Sequence, residues 1–168
     1  MRTLAMKIIK LRETRSGYSL DSSAYGAYVE SVKQLLPPAL YEFMSEPWHY
    51  DPSDRRCLHD ARLHTLTVEE YEKEERTLNN ITIILAGAYG NTLKLHYHNT
   101  SSYSIEKNTT AWPVNHSTHG DLIIDEVIVL ESTNTFQHEI RFEDATIKIV
   151  FEDFLFLIET TNDQANSQ

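Results

Sequence analysis

"ITIILAGAYGNTLKLHYH", residues 81–98, decides the fold class. Its first half is a run of apolar and β-branched residues from Ile81 to Leu85; in its second half Leu93, Leu95 and Tyr97 alternate with Lys94, His96 and His98. A period of two sends successive side chains to opposite faces, the pattern of a strand with one buried face. Between the halves, "AYGN" supplies the glycine and asparagine of a tight turn, so the stretch predicts an antiparallel hairpin.

Similar runs lie on either side. "CLHDARLHTLTVEEY" (57–71), "LIIDEVIVL" (122–130), "TFQHEIRF" (135–142) and "TIKIVFEDFLFLI" (146–158) read as strands, with turns at "ESTN" and "EDA". Upstream the period changes. In "DSSAYGAYVESVKQLLPP" (21–38), Tyr25, Tyr28, Val29, Val32, Leu35 and Leu36 recur at helical spacing behind a cluster of N-cap residues. Pro37 and Pro38 end that helix, and Pro38 can open a second one over "ALYEFM", because the first helical position loses no hydrogen bond to proline. "TLAMKIIKLRE" (3–13) predicts an N-terminal strand, and "SEPWHYDPSDRR" (45–56) a loop. The expected architecture is one α+β domain over residues 1–160: a short N-terminal helical section, then a sequential antiparallel β-meander of about six strands. Residues 107–120 form the one long irregular stretch, and the polar tail 161–168 reads as disordered.

The formal net charge of the 168 residues is −10. Residues 1–16 carry five basic groups and one acid, so the remainder sums to −14. Such a body disfavours phosphate-backbone binding, which draws its affinity from Lys and Arg, and so nucleic acid and anionic membrane are not the expected partners. No apolar run approaches the roughly 18 residues of a membrane span, and Lys7 and Lys10 interrupt any leader-like segment, which predicts a cytoplasmic protein. A single cysteine, Cys57, excludes an intrachain disulfide and every multi-cysteine metal site.

Two clusters invite a chemical reading. "CLHDARLH" gathers Cys57, His59, Asp60 and His64, but as a strand it divides them: Cys57, His59, Ala61 and Leu63 share the face expected to be buried, while Asp60, Arg62 and His64 share the wetter one. That places His59 near the core, with Asp60 and Arg62 in local contacts. On "LKLHYHN", His96 and His98 project from one face, the geometry by which a strand offers two imidazoles to a metal; His119, His116 or Asp121 could complete a hydrolytic His/His/carboxylate site. The face opposite Leu95 and Tyr97 is equally the solvated side of a half-buried sheet. No glycine-rich phosphate loop or nucleophile turn is present, no cofactor is expected, and the adjacent acids Asp125-Glu126 and Glu152-Asp153 read as edge or loop solvation. Acidity offers a different reading: Glu69, Glu70, Glu72 and Glu74, with Tyr71, Trp112 and Asp121, are the candidate contact set for a basic protein partner, and Tyr103 is a further aromatic anchor.

The order Leu58-His59-Asp60-Ala61, then "LHYHNTSSY", "HGDLIIDEV" and "HEIRFEDATIKIVFED", resembles a loose group of small bacterial domains, across residues 58–153. Some of these look like immunity proteins encoded beside polymorphic or contact-dependent growth-inhibition toxins. Ala145 stands where that pattern leads one to expect glycine. The resemblance implies a small, acidic, cytoplasmic, non-enzymatic protein that binds a basic, nuclease-type toxin and covers its active site. It assigns no residue a role, since members bind different toxins through different surfaces.

Overall fold

The computed structural model describes residues 3–15, 17–107 and 118–160. The N-terminal section opens with a three-stranded sheet, β1 (Thr3–Ala5), β2 (Lys10–Thr14) and β3 (Gly17–Asp21), so the expected single strand is instead two, interrupted where Met6 and Ile9 turn into the core. Helix α1 (Ser23–Val32) and helix α2 (Pro38–Ser45) follow, with Pro38 in the first turn of α2 as its φ preference dictates. The start of α1 is set by Asp21, whose carboxylate accepts hydrogen bonds from Ser23 N–H and Oγ–H. A 3-10 turn, Pro47–Tyr50, occupies the segment read as a plain loop, and it buries Trp48 and His49.

Eight strands make the body: β4 (Arg62–Lys73), β5 (Arg76–Ala86), β6 (Thr92–His98), β7 (Ser102–Lys107), β8 (Leu122–Leu130), β9 (Thr135–Phe142), β10 (Ala145–Phe151) and β11 (Asp153–Glu159). They form two antiparallel sheets, ordered β11-β6-β5-β4 and β7-β10-β9-β8. The fold is therefore α+β and antiparallel, with more strands than expected and a different pairing order. After β6 the chain bends through Asn99–Ser101 into β7, and β10 bends through Glu152 into β11. Pairing runs through both bends: β7 lies on β10 and β6 on β11, and between them Ser101 N–H donates to Val150 C=O and Glu152 N–H to His98 C=O. One long two-stranded ribbon thus passes from one sheet into the other, a way in which strands make the corners of packed sheets. The sheets meet again where Arg62 bridges to Asp121 and Asp60 N–H donates to Leu122 C=O.

The hairpin of residues 81–98 folds as its alternation predicts. Ile81, Ile83, Leu85, Leu93, Leu95 and Tyr97 are fully buried, and Gly90, at φ +73°, closes the turn. They join one hydrophobic cluster with residues from the N-terminal section, both helices and the second sheet. β8 is the exception to alternation: Ile124 through Val129 are all buried, because the N-terminal section covers the side that would otherwise meet solvent. Its free edge is closed by side chains. Tyr25 Oη–H donates to Val127 C=O and accepts from Val127 N–H, Val129 N–H donates to Tyr28 Oη, and Tyr50 Oη–H donates to Asp125 C=O. Unpaired strand edges template aggregation, and here three phenols occupy the groups a further strand would use.

Candidate functional site

The expected contact residues divide. Glu69, Glu70, Tyr71 and Glu72 lie on β4 where it extends with β5 past the bend of β6, and the pairs Glu69/Asn80, Glu70/Asn79, Tyr71/Leu78 and Glu72/Thr77 define a projecting two-stranded ribbon. Alternation sends Glu69 and Tyr71 to one face and Glu70 and Glu72 to the other, while Glu74 and Glu75 form the turn, both at positive φ. Tyr71 is half-buried, and its hydroxyl donates to Asn99 Oδ1. Asp121 does not join them: it pairs with Arg62 at the opposite end of β4, about 30 Å from Tyr71 at roughly 3.3 Å per residue. Tyr103 is 48% exposed on β7. Trp112 and His116 lie outside the described residues.

His96 and His98 share the outer face of the first sheet, as their spacing requires. His96 Nδ1 is engaged by Thr82 Oγ1, and partial burial together with nearby His98 and Lys94 lowers its pKa. His119 packs instead against Phe142, and among the described residues no three His, Cys, Asp or Glu side chains converge as metal ligands would. The octet 57–64 is also corrected. Residues 57–60 form a turn rather than a strand, with Asp60 at φ +62°, so Cys57 and Leu58 are both buried while His59 is exposed and paired with Asp60. His59 is not a core histidine.

The buried histidines are His49 and His138, and they meet at Asp125. His49 Nε2 and His138 Nε2 each lie 2.8 Å from Asp125 Oδ2. His49 Nδ1 is 2.6 Å from the Phe43 carbonyl, and Tyr97 Oη is 2.8 Å from His138 Nδ1. Counting donors assigns the protons. Both partners of His49 are acceptors, so its ring donates from both nitrogens and is an imidazolium; His138 donates from Nε2 to the carboxylate, and its Nδ1 shares a hydrogen bond with the Tyr97 hydroxyl, which can serve in either role. Burial opposes charge on His49, but the Asp125 carboxylate and the bonds to it and to Phe43 prevail, and its pKa is raised. Burial likewise opposes charge on Asp125, and His49 and His138 outweigh it, holding the carboxyl well below the usual range. Adjacent Glu126 is also buried, and its carboxylate accepts from the N–H groups of Lys7, Ile8 and Ile9 at 2.9, 2.8 and 2.7 Å. The two acids expected at a solvated edge are therefore interior anchors: one fastens the 3-10 turn to the sheets, and the other fastens the N-terminal segment.

Beside this network lies a cleft of about 290 Å³, bounded by β3, the 3-10 turn, the 57–60 turn and the start of β8. Cys57 lines it, but burial pushes its thiol pKa up to about 11, and the Sγ–H donates to the His49 carbonyl. A thiol so held carries almost no thiolate at neutral pH and is not a poised nucleophile. Both nitrogens of His49 are committed within the network, so the ring is not free to act as a base in the cleft.

No helix among the described residues is long and apolar enough to cross a membrane. Comparison with known proteins finds no family model, no curated protein and no solved structure that matches the chain.

Proposed function

We propose that this chain is a small acidic binding protein that neutralises a basic, nuclease-type toxin domain by direct contact, in the manner of an immunity protein. The projecting β4–β5 ribbon carries the reading. It holds Glu69, Glu70, Glu72, Glu74 and Glu75 exposed against Lys73 and Arg76 alone, around the half-buried ring of Tyr71. The ribbon is tied at its base to Asn99 and Thr100 and presents charge on both faces toward its tip, and such charge accelerates and orients encounter with a surface of opposite sign.

Co-expression with the product of the gene immediately upstream, followed by pull-down and a growth assay, tests the proposal directly. The expected results are a stable complex and protection from that product's toxicity. In stopped-flow association, replacing Glu69, Glu70, Glu72 and Glu74 together by lysine should slow the on-rate at least tenfold at low salt, with the difference collapsing near 0.5 M salt as screening sets in. Absence of both complex and protection would overturn the reading, and so would wild-type association by the charge-reversed protein.

A further inference from the structure

The Asp125 carboxylate has one oxygen left over. Oδ2 accepts both imidazole N–H groups, whereas Oδ1 accepts no hydrogen bond from any described residue. A carboxylate presents about four lone-pair sites, so half of its accepting capacity is unused. Among the described residues the one side-chain oxygen that is both sealed from solvent and without a partner is Asn91 Oδ1; Asp125 Oδ1 is therefore not sealed, although the residue is only 2% exposed. Asp125 is one of the residues that line the cleft.

The surroundings decide what would fit. Leu20, Tyr50, Pro52, Leu122 and Ile124 supply an apolar and aromatic wall. Asp125, Asp51 and Asp54 act on Cys57, and Asp125 and Glu126 on Tyr50, each disfavouring further negative charge there. Of the nearby basic groups, His49 is committed to Asp125 and Phe43, Arg56 to Asp54, and His59, which also lines the cleft, to Asp60, while Arg55 acts on Asp54. An anion would be repelled, and a group with only acceptors would leave Oδ1 unmet. At about 290 Å³ the cleft stands at the lower end of the roughly 300–1,000 Å³ typical of ligand pockets, enough for a small metabolite or one long side chain. We propose that this cleft binds an organic cation, a guanidinium or alkylammonium group whose donors reach Asp125 Oδ1 while its carbon stem lies along the apolar wall, with the Tyr50 ring beside it. The cation can arrive free or as an Arg or Lys side chain of a protein; only the second source rests on the proposed function.

Titration with n-butylguanidinium, followed by calorimetry and by backbone amide NMR shifts at constant ionic strength, tests the site. Its neutral isostere n-butylurea is the control. The expected result is saturable one-to-one binding, at least tenfold tighter than n-butylurea, with shifts confined to residues 20–22, 49–59 and 122–125. Leu20 is 38% exposed on the cleft wall, so Leu20→Trp should fill the space without disturbing the core, and should weaken binding at least tenfold at unchanged thermal stability. Equal response to n-butylurea, shifts spread without saturation over the acidic ribbon, or wild-type affinity in folded Leu20→Trp would each overturn the proposal. A second arm uses the peptide acetyl-Gly-Arg-Gly-amide. Tighter binding than n-butylguanidinium assigns the site to a protein side chain, and the reverse order assigns it to a free amine or guanidine. A failed pull-down with a basic protein leaves the n-butylguanidinium result standing, so the two proposals fail separately.

Discussion

Replacing Asp125 by asparagine should cost about 3 to 5 kcal/mol near pH 6, the range for removing one partner of a buried ion pair. The side chain keeps its shape, and its amide oxygen can still accept, but it no longer carries charge. His49 then loses its counter-ion and must bury a neutral ring, which can donate either to the Phe43 carbonyl or to position 125 but not to both. The pH dependence is the sharper test. In the wild-type protein the folded pKa of His49 is raised above its ordinary 6.5, so its contribution is complete below that pH and declines as pH rises toward the folded value. Asp125 is depressed below its ordinary 3.8, so its contribution is present above that pH and is lost only in stronger acid. Between about pH 4 and 6.5 the full pair contributes; above 6.5 the wild-type advantage over Asp125→Asn should shrink by up to about 1.4 kcal/mol per pH unit. Urea unfolding of both proteins by circular dichroism from pH 5.5 to 8.5 measures the gap. A gap below about 1 kcal/mol, or one that does not change across that range, would refute the proton assignment.

Three further outcomes follow from the same structure. Tyr25→Phe removes the hydroxyl that serves both Val127 N–H and C=O, and should cost about 1 to 3 kcal/mol while raising the tendency to associate through β8, read by urea unfolding and light scattering. His59→Leu, at an exposed turn position, should change stability by no more than about 0.5 kcal/mol in the same urea assay; a larger loss would restore His59 to the core. Cys57, buried and with its thiol pKa near 11, should resist an aromatic disulfide reagent at pH 8 until urea unfolds the chain, and prompt labelling of the native protein would show the 57–60 turn to be open.

Much of the fold was legible because its signals are local. The 81–98 hairpin, the helix ended by Pro37-Pro38 and the turns at 131–134 and 143–144 each follow from a period or a turn residue within a few positions. β7 was missed because "SYSIEK" is polar and all but Ser104 of it is exposed, so its membership in a sheet shows only through pairing with β10 some 40 residues away. Sequential pairing holds for β4-β5-β6 and for β8-β9-β10, but β7 and β11 pair out of sequence with β10 and β6, since nothing in a strand's own pattern says which strand it pairs with. His49 was hidden in a proline-rich segment that reads as loop, and its partner Asp125 lies 76 positions later. A signal did exist: Asp125 and Glu126 interrupt "LIIDEVIVL", an otherwise apolar strand. Adjacent acids on opposite faces of a strand buried on both sides must each find donors inside the protein. The octet 57–64 misleads because the strand whose alternation it suggests begins only at Arg62, two to five residues after Cys57–Asp60.

The shared ribbon of β6, β7, β10 and β11 has a consequence for how the molecule comes apart. Each sheet takes one edge strand and the strand beside it, β11 and β6 in one and β7 and β10 in the other, from the same pair of continuous chain segments, so the ribbon cannot part in one sheet without loosening the other. Local opening is left to the periphery, the acidic hairpin tip and the N-terminal strands. The slowest-exchanging amides should therefore form one block that spans both sheets and exchanges only through global unfolding, a single cooperative unit where two packed layers would ordinarily suggest two.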